Sequence, residues 1–291
     1  PQGEASEQAY YMRGWCMYLL GRHEEALKLC KQFVEKYPDS IWAPNVLFWI
    51  GEYHYNHGQF EKAEQSFDSL ATRYSKMALA DEARFWAGKS AAAQKEYVRA
   101  LDHFNRLTVD FPDSPKIPEA RFVQGDALSE LGQFPAAILV FDEVLQKYPN
   151  TYLVDLARGR KGDCHFTLGK DDPRRYTEAL GQYRAVLDSP TASTDLKLQA
   201  EFKMGRCHEK LQENEQALEH YMKVVYKFLY DLPNQTPADA LWFTRAAFNA
   251  AAIKEAERRW REAASIYRRV VDAGVPAAAD AQERINRIRL A

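Results

Sequence analysis

Small and large apolar positions return along this chain with a fixed period. Gly14, Gly51, Gly88, Gly125 and Gly162 stand 37 residues apart, and an alanine follows each of the first four at a distance of twelve, as Ala26, Ala63, Ala100 and Ala137. Four residues further on comes a larger side chain: Cys30, Phe67, Phe104 and Phe141. With the glycine numbered as position 8 of a repeat, these are positions 20 and 24. Small residues at 8 and 20 let two antiparallel helices approach closely, and the large residue at 24 fills the wedge between them. Each repeat is therefore predicted to be a helical hairpin, and the chain to contain helices and no β-structure.

The frame survives insertions. In the fifth repeat Gly162 is followed by Ala179 and Tyr183, five residues late, which places the extra length at Gly169 to Arg175, in the turn between helices. Gly205, Ala217 and Tyr221 restore the spacing, and a diverged seventh repeat has Ala251, Ala263 and Tyr267 without the glycine. The predicted repeats run over 7–43, 44–80, 81–117, 118–154, 155–197, 198–238 and 239–276, a single body over 5–276. Residues 277–291, with Ile285 and Ile288 among arginines, read as a helix that caps the last apolar face. Pro44 and Pro118 fall at position 1, where a missing backbone donor costs nothing, and Asp39, Ser40, Asp113 and Ser114 offer helix caps nearby. Gly21, Gly58, Gly132 and Gly169 mark the turn inside each hairpin, where a left-handed backbone is expected.

Composition narrows the partners. The 39 basic side chains against 41 acidic ones give no electrostatic reason to expect nucleic acid. No stretch approaches the ~20 apolar residues that span a bilayer. The opening PQGEASEQ has neither a methionine nor a signal-like apolar segment, so the chain is expected to be a processed or excised part of a longer one.

These residues resemble the tetratricopeptide repeat over nearly the whole chain. Segments such as FWIGEYHYNHGQFEKAEQSFDSLATRY and ARFVQGDALSELGQFPAAILVFDEVLQKYPNT are similar to the periplasmic branch of that family. That branch includes the cell-division coordinator of the Tol-Pal system and the lipoprotein of the outer-membrane assembly machinery. The resemblance implies an all-α, right-handed α-solenoid of about seven antiparallel helix pairs with a C-terminal capping helix. It implies a periplasmic or envelope location, with a cytoplasmic one as the alternative. The implied role is a non-enzymatic scaffold that binds an extended or helical segment of another protein in its concave groove. The alternatives are a self-assembling module, or the accessory array of a larger, enzymatic envelope protein.

In tetratricopeptide arrays the first helix of each repeat lines the groove, with positions 2, 5, 9, 12 and 13 commonly facing it. Position 5 reads Tyr11, Phe48, Phe85 and Phe122, and position 12 supplies Tyr18 and Tyr55. The position-5 rings could equally pack helix against helix, whereas position 12 is the better candidate for exposure. Glu52, Glu82, Glu119 and Asp126, with Asp163 further on, outnumber Lys89, so the groove is expected to prefer a basic or aromatic ligand. The lysine and asparagine clamp that holds a C-terminal carboxylate in chaperone-binding members is missing: position 5 is aromatic and Trp15 stands at position 9 of the first repeat.

Cofactor and metal chemistry finds no foothold. Cys16, Cys164 and Cys207 occupy position 10 and read as small packed residues; Cys16 and Cys30 could bridge only if their Cα atoms come within about 7 Å. His54, His165 and His208 share position 11 and read as packed histidines. The neighbouring Cys164-His165 and Cys207-His208 pairs are separated too widely to share zinc. No nucleophile elbow, phosphate loop or metalloprotease helix is present, so no enzymatic activity is expected of these residues.

Overall fold

The computed structural model describes residues 4–232 and 236–290, and every regular element among them is helical. The chain divides into two compact units, Pro1–Gln133 and Phe134–Ala291. The first holds α1 (Glu4–Leu19), α2 (His23–Lys36), α3 (Ala43–Asn56), α4 (Phe60–Arg73), α5 (Ala80–Ala93), α6 (Tyr97–Asp110) and α7 (Ile117–Glu130). The second holds α8 (Phe134–Lys147), α9 (Leu153–Leu168), α10 (Arg174–Leu187), α11 (Thr194–Lys210), α12 (Asn214–Tyr226), α13 (Pro237–Ala256), α14 (Trp260–Asp272) and α15 (Ala278–Leu290). A π-helical turn, Lys227–Asp231, prolongs α12.

Within each unit consecutive helices pack on one another, α1 on α2, α2 on α3 and onward to α7, then α8 on α9 and onward to α15. First and second helices of a pair therefore face different surroundings. Helix α5 lies between α4 and α6, and it buries Ala80, Ala83, Phe85, Ala87, Gly88 and Ala91 around most of its circumference. Helix α6 is amphipathic and buries only Ala100, His103, Phe104 and Leu107, one stripe at i, i+3, i+4 and i+7. Helix α1 has α2 as its main neighbour, and its far side leaves Met12, Leu19 and Leu20 exposed, the last two at 68%. At the other end, Ile285 of α15 is buried in the cluster that holds Ile266 and Val270 of α14.

The glycine at position 8 is where the two helices of a pair touch. A Cβ at Gly88 would lie 2.5 Å from a ring carbon of Phe104; the corresponding separations are 2.6 Å at Gly51 against Phe67, 2.6 Å at Gly162 against Tyr183, and 2.5 Å at Gly205 against Tyr221. Each ring lies flat on the bare backbone of the facing helix, and Phe67, Phe104 and Tyr221 are fully buried. Burying such a side chain contributes about 1.5–3 kcal/mol. In the first pair the ring is replaced by Cys30, whose Sγ would stand 3.3 Å from a Cβ on Gly14.

Inside the hairpins the chain turns through a left-handed residue at position 15. Gly21, Gly58 and Gly132 have φ of 74°, 69° and 72°, and the same place is held by Lys95, Gln212 and Arg258 at 63°, 63° and 57°. The next amide then reaches back across the helix end, as in Gln59 N to His54 O at 2.8 Å and Glu96 N to Ala91 O at 3.0 Å. Gly169 departs from the expectation: its φ is −60°, because the longer fifth turn continues right-handed before α10, and the Tyr176 ring covers the glycine. Capping differs as well. Ser40 and Ser114 leave the helix amides alone and accept from the loop amides of Trp42 (3.3 Å) and Lys116 (3.2 Å). Pro44 and Pro118 do stand in the first turn of their helices.

All four thiols are free. Cys16 is exposed and Cys30 half-buried, and burial pushes the Cys30 thiol up to about 11 and the Cys207 thiol up to about 12. His54 and His165 are buried, and that burial lowers the pKa of both imidazoles.

Two substitutions test this account. Gly88→Ala should lower stability by about 1–3 kcal/mol through overpacking on Phe104, although alanine is the better helix former by ~1 kcal/mol; urea unfolding should show a net loss, and a net gain would refute the contact. Lys95→Gly should raise stability by up to about 1 kcal/mol by removing the left-handed penalty, and an unchanged or lower denaturation midpoint would contradict it.

Candidate protein-binding groove

The first helices of the first unit, α1, α3, α5 and α7, carry the expected groove positions. Tyr18 is 36% exposed and Tyr55 half-buried, as position 12 suggested. Position 5 behaves otherwise. Phe85 is 2% exposed, with its ring beside Phe104, so it belongs to the core and presents no surface. Tyr11, Phe48 and Phe122 are half-buried; Tyr11 stacks on Trp42 at 4.8 Å and Phe48 meets Phe67 edge-on at 5.3 Å. A residue four before position 9 turns toward the second helix of its own pair, and there the rings pack.

The aromatic surface joins Tyr18 and Tyr55 to rings outside the expected set, Trp49, Tyr53 and Trp86, and to Trp15 at position 9. Trp15 of α1, 42% exposed, lies 5.3 Å from Tyr18; Tyr18 meets Trp49 of α3 edge-on at 5.5 Å, and Trp49 meets Tyr53 at 5.6 Å. On the next helix Trp86 meets Tyr55 edge-on at 5.1 Å. Trp49 and Trp86 share position 6, and two tryptophans in one slot of neighbouring repeats were the available signal. Both are half-buried.

Beneath Trp15, Tyr18 and Trp49 a crevice opens between α1, α2 and α3. Its floor is Gly14, Leu29, Cys30 and Phe33, and its walls are Tyr10, Tyr11, Asn45 and Val46. The corresponding space over Gly51 is filled by Phe67, which stacks on Trp86 at 6.2 Å with the planes 24° apart.

The charged groove residues are partly engaged with one another. Lys89 Nζ lies 4.4 Å from the centre of the Trp86 ring, and burial lowers its pKa. Lys116 reaches Glu82 Oε1 at 3.0 Å. The pKa of Glu52 is raised, first by desolvation and then by the neighbouring Glu82 charge. Glu119 and Asp126 are half-buried on α7.

In the second unit Phe141 is followed at position 24 by tyrosines, and the hydroxyls of Tyr183 and Tyr221 reach the first-helix side. Tyr183 donates to Asp163 Oδ1 at 2.7 Å, and Lys203 also donates to Asp163, at 2.6 and 2.8 Å; Tyr221 donates to Glu209 Oε2 at 2.7 Å. Asp163 is thus a structural acceptor. Among the described residues no three His, Cys, Asp or Glu side chains gather to hold a metal, and no helix is long and apolar enough to cross a membrane.

Sequence profiles for the tetratricopeptide repeat match residues 8–40, 119–151 and 199–228, and a second profile of the same description matches 50–115. No curated protein matches the chain in sequence. Among solved structures, a tetratricopeptide repeat protein from Parabacteroides merdae is 15% identical with a TM-score of 0.58, covering 98% of this chain and 99% of its own. The C-terminal part of a repeat-containing protein from Cytophaga hutchinsonii is 14% identical with a TM-score of 0.66, covering 93% and 98%. MamA from Desulfovibrio magneticus is 17% identical with a TM-score of 0.51, covering 62% and 92%. At these identities the likeness is one of fold.

Tyr183→Phe should cost about 1 kcal/mol in stability by removing a donor to Asp163. Urea unfolding of the single variant measures it, and an unchanged midpoint would show the hydroxyl to be idle.

Proposed function

The chain belongs to the tetratricopeptide repeat family, and on that footing we propose that it is a scaffold which binds a segment of another protein along the first helices of its first unit. Proteins of this family mediate protein–protein interactions. The observation that carries the groove reading is the run of part-exposed rings Trp15, Tyr18 and Trp49 above an open crevice. Large, stiff aromatic side chains contribute much contact area at little entropic cost, which suits them as anchors for an extended or helical segment. Glu52, exposed on α3, favours a ligand with lysine or arginine, and at such an exposed rim it tunes encounter rate and specificity more than affinity.

A second reading has its own support. Met12, Leu19 and Leu20 leave the outer side of α1 apolar, whereas the equivalent side of α3 is covered by α2. Two copies meeting through α1 would bury these residues.

One experiment separates the readings. The full chain, immobilised, should capture a partner from extract of its native cells, and the Trp15→Ser/Tyr18→Ser variant, with helicity unchanged by circular dichroism, should lose it. Equal capture by the variant would refute the groove. Sedimentation of the unmodified protein across concentrations supports self-assembly if the mass rises and Leu19→Glu restores the monomer; a constant monomer mass rejects it.

A further inference from the structure

The second and first pairs of the first unit share the same frame with one component exchanged. In the second, Gly51 provides bare backbone, Phe67 lies on it, and Trp86 of the following pair stacks on that ring at 6.2 Å. In the first, Gly14 provides the backbone and Trp49 occupies the place of Trp86, but position 24 is Cys30. Over Gly14 the smaller thiol takes part of the place that the ring takes over Gly51. A Cβ there would stand 3.3 Å from Cys30 Sγ, whereas at Gly51 it would meet the ring at 2.6 Å. The crevice has a free volume of about 40 Å³, room for about three water molecules.

We infer that the crevice over Cys30 is a socket for one aromatic side chain of the bound segment, seated on Cys30 and against Trp49 much as Phe67 lies against Trp86. The inference rests on the groove reading and adds to it the chemistry of the anchoring residue. The surroundings select a ring. Trp49 offers a face, and Tyr11, Tyr18 and Phe33 offer further rings, an arrangement that suits offset and edge contacts with a planar guest. A charged guest is disfavoured, since burial keeps the Cys30 thiol neutral at physiological pH and Asn45 is the one amide in the lining. The mouth lies beside the part-exposed Trp15 and Tyr18, so a guest ring would enter from the groove.

The test uses the full chain with N-acetyl-phenylalaninamide, N-acetyl-tryptophanamide and N-acetyl-alaninamide as probes, read by ligand-observed NMR. The aromatic amides should bind saturably with a dissociation constant on the order of 1 mM, as expected for ligands of their size, and the alaninamide should not. Cys30→Phe supplies the ring internally and should weaken aromatic binding at least tenfold with helicity retained. If Cys30→Phe fails to fold, Cys30→Leu fills part of the space and should weaken binding in the same direction. Equal binding by the filled variant, equal binding of the alaninamide, or no saturable binding to the unmodified protein up to about 20 mM would overturn the socket. Partner capture distinguishes the two levels. Undiminished capture by Cys30→Phe removes the socket and leaves the groove standing, whereas undiminished capture by the Trp15→Ser/Tyr18→Ser variant removes the groove itself.

Discussion

The contact on which this structure depends is a ring pressed against a glycine. A helix pair can bring its axes this close only if one helix omits a side chain, and the void so made is filled by a single flat group from the other. Phe67 on Gly51, Phe104 on Gly88, Tyr183 on Gly162 and Tyr221 on Gly205 are the same solution used four times. The contact orders its neighbours. With the ring held, position 20 must be alanine, and Ala63, Ala100, Ala179 and Ala217 are all fully buried. The other side of each first helix is then free to pack on the preceding pair, which gives α3 and α5 apolar residues on most sides while α4 and α6 keep a solvent face.

Variation in the ring is what distinguishes one repeat from another. Phenylalanine gives a closed apolar wedge. Tyrosine extends through the wedge and ties down a carboxylate on the first-helix side, at Asp163 and Glu209, so that surface acquires a fixed acceptor in place of a mobile charge. Cysteine fills less of the wedge, stays neutral, and has a crevice beside it. Three residue types at one position thus yield a seal, a polar latch and an opening on an otherwise constant backbone.

The frame was legible in the sequence because it is repeated: a glycine, an alanine and a ring at constant offsets have one packing explanation. The groove was less legible. Phe85 and Tyr18 are both aromatic residues on first helices, yet one is buried and the other exposed: Phe85 packs on Phe104 of α6, whereas Tyr18 stands in the last turn of α1, and residue type is blind to that. Trp49 and Trp86 were overlooked because position 6 was not among the groove slots the family suggested. Buried charge was hidden for a related reason. Arg84 is 3% exposed and is held by Asp68 on the facing helix, with Thr72 Oγ1 at 3.2 Å, a pairing that no local pattern announces. Gly169 misled because glycine permits the left-handed turn without demanding it, and the additional residues before α10 allow a different path.

The position of those additional residues has a consequence for how such a chain changes over time. They enter between α9 and α10, beyond the last contact of Gly162 with Tyr183, and leave that contact as close as in the shorter hairpins. Length gained at the turn does not shift the register of either helix, whereas one residue gained inside a helix would rotate every later side chain by about 100°. The turns are therefore the places where this lineage can accept insertions, and the packed frame is the part that mutation can alter only by exchanging one side chain for another.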